Sequence, residues 1–161
     1  MSTKALAASI IADLQARLPD QRKTQREALG TLVATMLEVR SPNTVDMASG
    51  LPRAAERLDM RLQWVSRVLS NHRIIPDEIM VPFAREAMEK VSKRAVVLVL
   101  SMNQSHISAG FEMLMLSLRH QQRAIPLLWC VKTVKAALVL PPKKRCWTSW
   151  RPLFRMGPKW C

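Results

Sequence analysis

Asn103, Gln104 and Ser105 follow a continuous apolar run, Ala95–Leu100, that is dominated by valine. The run is too short for a membrane span and too β-branched to favour a helix, so it predicts a strand buried on both faces over 95–102. A buried strand ending in polar side chains can present a catalytic group at a sheet edge; the alternative is a strand that simply enters a turn. Ser105-His106 has no acid or oxyanion loop beside it, which argues against a hydrolase. His72, His106 and His120 show no metal-ligand spacing among themselves or with Cys130, Cys146 and Cys161. Three widely spaced cysteines without a CxxC pair fit a reduced cytoplasmic protein better than a disulfide scaffold or a zinc site.

The second set of candidate side chains is basic. Arg53, Arg57, Arg61 and Arg67 crowd one expected helix and Arg73 follows it, after a short helix and a tight Gly50-Leu51-Pro52 turn. Short helix, turn and basic helix is the order of a helix-turn-helix, in which the second helix enters the major groove and arginines meet phosphates and base edges. The alternative is a solvated arginine face, since Glu56 and Asp59 lie among these residues and weaken the field. Lys143-Lys144-Arg145, followed by Trp147 and Trp150, has the charge and aromatic content to grip a single strand, and a non-native tail would look the same. Met102, Met113 and Met115 read as core filler.

Composition sets the partners such residues would meet. The 161 residues are 48% hydrophobic and 23% charged, enough to bury a core. The net charge is +13, and all twelve acids lie at or before Glu112, whereas Lys132–Cys161 carries eight Lys/Arg and no acid. That excess attracts polyanions, nucleic acid before anionic membrane. After Lys4 the apolar Ala5–Ala12 is interrupted at once by Asp13, Gln15 and Arg17 with no small-residue cleavage pattern, so no signal peptide and no membrane span are expected.

The elements that must position these residues fall into three textures. Leu6–Leu18 has an amphipathic helical spacing ended by Pro19, and Thr24 with Glu27 has the spacing of a capping box opening a helix that buries Leu29, Leu32, Val33, Met36 and Leu37 and ends near Arg40. Asn43 caps a short helix closed by Gly50. A longer helix is expected over 53–70, with Leu58, Leu62, Val65 and Leu69 as its stripe and Asn71 as a left-handed stop. Pro76-Asp77-Glu78 opens a fifth helix ending near Val91, with Pro82 either kinking it or marking its first turn. The period then changes to three strands, 95–102, 111–118 and 124–131, joined by connections so short that neighbours must be antiparallel. This meander lacks helices to cover both faces. Beyond Lys132 the chain is rich in proline and tryptophan and has no sustained period.

Read together, Val96–Ser105 (VVLVLSMNQS), Gly110–Leu118 (GFEMLMLSL) and Arg123–Lys132 (RAIPLLWCVK) resemble the start of the catalytic core of cut-and-paste DDE transposases from bacterial insertion sequences. The resemblance covers about residues 1–132 and includes NTVDMASGLP and the basic helix, which look like that family's N-terminal DNA-binding region. It implies an α+β chain: a helical DNA-binding region at 1–92 and the first three antiparallel strands of an incomplete ribonuclease H-like fold at 93–132; the basic tail beyond, 133–161, is expected from its composition to be disordered. It also implies DNA, in the form of insertion-sequence ends, as the partner, full-length transposase as a further one, and Mg²⁺ as the cofactor of the intact family.

The sequence departs from the family pattern twice. Asn103 stands where the family has its first catalytic Asp, and the pattern stops near Lys132, before the segments that would carry the second Asp and the Glu; the tail resembles translation in a shifted frame. Two-metal phosphoryl transfer uses carboxylates to hold cations, and an amide offers one neutral oxygen. The expectation is therefore a DNA-binding transposase fragment without catalytic competence and with no cofactor of its own. Its rivals are a stand-alone DNA-binding inhibitor of the full-length enzyme, a nuclease with unusual metal ligands, and a pseudogene product without function.

Overall fold

A computed structural model describes residues 2–53, 57–94, 97–108 and 110–133 of the chain. Of the tail expected to be disordered over 133–161, Thr133 ends the last strand, and the rest, with Lys143–Arg145, Trp147 and Trp150, lies outside the described residues. Among the described residues the architecture is α+β: five helices followed by a three-stranded antiparallel sheet. Two compact units divide the chain at Ile74/Ile75. The boundary lies before the fifth helix rather than after it, because that helix shares its core with the sheet.

The first unit holds α1 (Thr3–Arg17), α2 (Lys23–Val39), α3 (Thr44–Gly50) and α4 (Leu58–Leu69). Ser2 caps α1, its hydroxyl accepting the Ala5 N–H. The reciprocal contact expected of Thr24 and Glu27 is made two residues earlier: the Gln25 side-chain oxygen accepts the Arg22 N–H at 3.2 Å, and its amide nitrogen donates to the Arg73 carbonyl at 3.4 Å. Gln25 is buried, so this one amide ties the start of α2 to the segment after α4. Arg26 closes the α1–α2 connection, donating from Nη1 to the carbonyls of Leu18 and Pro19, both at 3.0 Å, and of Gln21.

α2 buries Gly30, Leu32, Ala34 and Thr35, while Val33, Met36 and Leu37, expected in the core, are exposed. The helix is rotated because its neighbours come too close for large side chains. A Cβ placed on Gly30 would stand 2.5 Å from Ile11 Cγ1 and 3.2 Å from the Ile11 backbone nitrogen, and one on Gly50 would stand 2.3 Å from Val39 Cγ1. The core of α2, α3 and α4 is Leu32, Met47, Ala48, Leu51 and Val65, with Val39, Leu62, Trp64 and Val68 at its edge. Asn43 caps α3 as expected, accepting the Val45 N–H at 2.8 Å. Asn71 is not left-handed; its Oδ1 accepts the Arg73 N–H at 3.1 Å, and Arg40, at the end of α2, is the residue with positive φ. α4 begins at Leu58, later than the expected 53.

The second unit pairs α5 (Pro76–Ser92) with β1 (Leu100–Ser108), β2 (Phe111–His120) and β3 (Arg123–Thr133), in the order β1-β2-β3. Pro76 sits in the first turn of α5, where its missing N–H costs nothing, and the helix runs on through Pro82. β1 differs most from expectation. Leu98 and Val99 precede the strand, Val97 and Val99 are 70% and 49% exposed, and the strand runs through Asn103–Ser105 instead of stopping there. The ladder with β2 continues to Ser108↔Phe111, and the turn is made by Gly110 at φ 84°. Gln121, at φ 55°, turns β2 into β3.

One face of the sheet packs on α5. Ala84 and Met88 meet Leu116, Leu118, Leu127 and Leu128, all at most 4% exposed. Leu116 pairs with Leu128 and Ser117 with Pro126, so Leu127 is an extra residue in β3 and both adjacent leucines enter the core. Pro126 is tolerated at that bulge, on the last strand of the sheet. The opposite face carries Ile107, Phe111, Trp129 and Val131, all exposed among the described residues. Cys130 is disulfide-bonded, against the expectation of three reduced thiols.

Candidate nucleic-acid interface

Helices α2, α3 and α4 share one core, in which Leu51 is buried; α3 ends at Gly50 and α4 begins at Leu58, a wider separation than the tight turn expected of a helix-turn-helix. Val65 is fully buried on α4, and Leu62 and Val68 flank it. Asp59, Gln63, Ser66, Arg67 and Ser70 therefore fall on the outward face, where all five are exposed.

The five arginines singled out in the sequence do not act as one group. Arg53 lies before α4 with its guanidinium 5.2 Å from the centre of the Trp64 ring. Thr24, Glu27, Ala28, Thr31, Pro52, Arg53 and Trp64 line a groove of about 310 Å³ beside it. Arg57 occupies the N-cap of α4 and pairs with Asp59, Nε to Oδ1, at 3.3 Å. Both partners are largely exposed, so the pair is weak. Arg61 points back toward α3, donating from Nη1 to the Ser49 carbonyl at 3.3 Å. Arg67 lies on the outward face, and Arg73 is exposed beyond the helix. Counting basic residues missed Gln63 and Ser66, which share Arg67's face. The signal was available in the helical period for Gln63, which points away from the Leu62–Val65 stripe, whereas Ser66 flanks that stripe.

Asn103 sits within β1, paired with Met115 and donating from Nδ2 to Ser105 Oγ at 3.4 Å. Alternation puts Ser101, Asn103 and Ser105 on the face away from α5, next to Met115 and Trp129. Glu112, the last acid of the chain, pairs with His106 and so belongs to the other face, where Gln104 Nε2 donates to its Oε2 at 2.6 Å. Side chains on opposite faces of a sheet cannot share a cation. Among the described residues no three His, Cys, Asp or Glu side chains come together as metal ligands, and no helix is long and apolar enough to cross a membrane. The donors around Asn103 thus do not fit the Mg²⁺ that the family resemblance implies. No protein-family model, curated protein or solved structure matches the chain.

Proposed function

We propose that the chain is a DNA-binding fragment of a cut-and-paste DDE transposase that holds insertion-sequence ends through α2–α4 and does not cleave strands. The observation that carries this reading is the polar, outward face of α4 on a helix anchored by Val65 and packed with α3. A net charge of +13 supports a polyanionic partner. The sheet would then be the opening of a ribonuclease H-like core. Its lack of activity follows from charge: neutral Asn103 has no carboxylate on its own face, so nothing there offsets the charge of paired divalent cations. With DNA as its partner, the reading implies a cytoplasmic protein, in whose reducing compartment the Cys130 disulfide would be open.

A second reading uses the same interface. A stand-alone regulator that occupies insertion-sequence ends, or joins the oligomer of the full-length transposase, needs binding without chemistry. Fluorescence anisotropy of the full chain on duplexes carrying insertion-sequence ends and on scrambled duplexes of equal length tests the first requirement. At least tenfold tighter binding to the ends at one salt concentration is expected; equal affinity overturns the proposal. Adding the chain to strand transfer by the full-length enzyme separates the two readings, since a regulator lowers the yield at concentrations that saturate the ends.

A further inference from the structure

We infer that Gln63 and Arg67 are the residues that read bases, and that Arg53 and Arg61 are positioning residues that hold the reading helix. This rests on the DNA-binding reading above. The argument begins with what each side chain is already doing. Arg53 is engaged with the Trp64 ring and Arg61 with the Ser49 carbonyl, contacts that tie α4 to the preceding loop and to α3. Gln63 and Arg67 are both exposed, and their side chains make no hydrogen bond or ion pair among the described residues. Their donors and acceptors face outward, away from the helix core.

Their chemistry suits base edges rather than phosphates alone. A glutamine amide carries one donor and one acceptor side by side, which matches N7 and N6 of adenine; a guanidinium fork matches O6 and N7 of guanine. The two residues are four apart on one helix, roughly 6 Å along its axis at about 1.5 Å per residue. Stacked base pairs rise about 3.4 Å, so the two side chains reach adjacent or next-but-one pairs. The ligand is therefore duplex DNA whose half-site carries an adenine and a guanine within about two base pairs of each other.

The test uses the full chain and a randomised duplex library. Bound duplexes are sequenced, and affinities are then measured by anisotropy on the selected duplex and on versions with the adenine or the guanine replaced. For the native chain each replacement is expected to weaken binding roughly five- to hundredfold. In Gln63→Ala the penalty at the adenine vanishes and that at the guanine stays; in Arg67→Ala the reverse holds. Both residues are exposed, so the variants keep the native circular dichroism. Arg53→Ala lowers the melting temperature and weakens binding to all duplexes by one factor, leaving both penalties intact. If the native chain binds every duplex alike, the proposed function fails and this inference with it. If preference persists unchanged in both Gln63→Ala and Arg67→Ala, or collapses in Arg53→Ala, this assignment alone is overturned.

Discussion

The two compact units bury their apolar residues by opposite means. In the first, helices approach through small residues: Ala34 and Ala48 are fully buried, and Gly30 and Gly50 leave no room for a Cβ. In the second, large residues do the work on one side only, with Leu118, Leu127 and Leu128 beneath α5 while Ile107, Phe111 and Val131 remain exposed on the other face. Small residues fix how closely two helices sit, so the first unit depends on volume not being added. The second depends on volume not being removed.

The largest effect should come from removing it. Leu118→Ala deletes a side chain with 0% exposure and should destabilise the second unit by about 2–5 kcal/mol. Hydrogen exchange resolved by residue is the measurement: protection should fall in α5 and β1–β3 and hold in α1–α4. Equal loss in both would mean that the units unfold as one. Adding volume to the first unit comes next. Gly30→Ala meets Ile11 backbone as well as side chain and should cost about 1–3 kcal/mol in urea denaturation. Gly50→Ala meets side-chain atoms of Val39 and Thr35, which can shift, and should cost less; a larger loss for Gly50→Ala would reverse the ranking.

On the open face of the sheet the comparison predicts almost nothing for stability. Val131→Thr, at a position 49% exposed, should change unfolding free energy by at most about 0.5 kcal/mol while lowering self-association in light scattering. A loss of several times that size would show that the face is covered. Smallest of all is the expected outcome of Asn103→Asp in a nicking assay with Mg²⁺ or Mn²⁺: no cleavage, because the new carboxylate faces away from Glu112. Metal-dependent cleavage by the native chain, abolished in Asn103→Ala, would overturn the inactive reading.

Features that depend on a few neighbouring residues were legible in the sequence. Asn43 caps α3, and the meander order follows from connections too short for a crossover. What escaped was set by partners. Hydrophobic periodicity gives weight to large residues, so it assigned Val33, Met36 and Leu37 to the core of α2. Packing chose the side bearing Gly30, Ala34 and Thr35 instead. The valine run announced a strand, but a strand exists only where its ladder does, and pairing with β2 moved β1 from the valines to Leu100–Ser108. For the same reason Asn103 is a mid-strand residue and not a terminal one. The interface was half legible: the arginines drew attention to α4, yet which of them face outward depends on Trp64 and Ser49, which no charge count includes.

The pairing of α5 with β3 has a consequence in time. Each strand of the sheet lies beside its sequence neighbour, but the helix that precedes them all shares its core with the last. During synthesis, about 40 residues separate Met88 from Leu128, which at some 5–20 residues per second is an interval of roughly two to eight seconds. Throughout it the apolar stripe of α5, Met80, Val81, Ala84, Ala87 and Met88, has been made but its full cover has not. A chaperone acting on this chain would find its binding surface there, and it would lose that surface as β3 emerges.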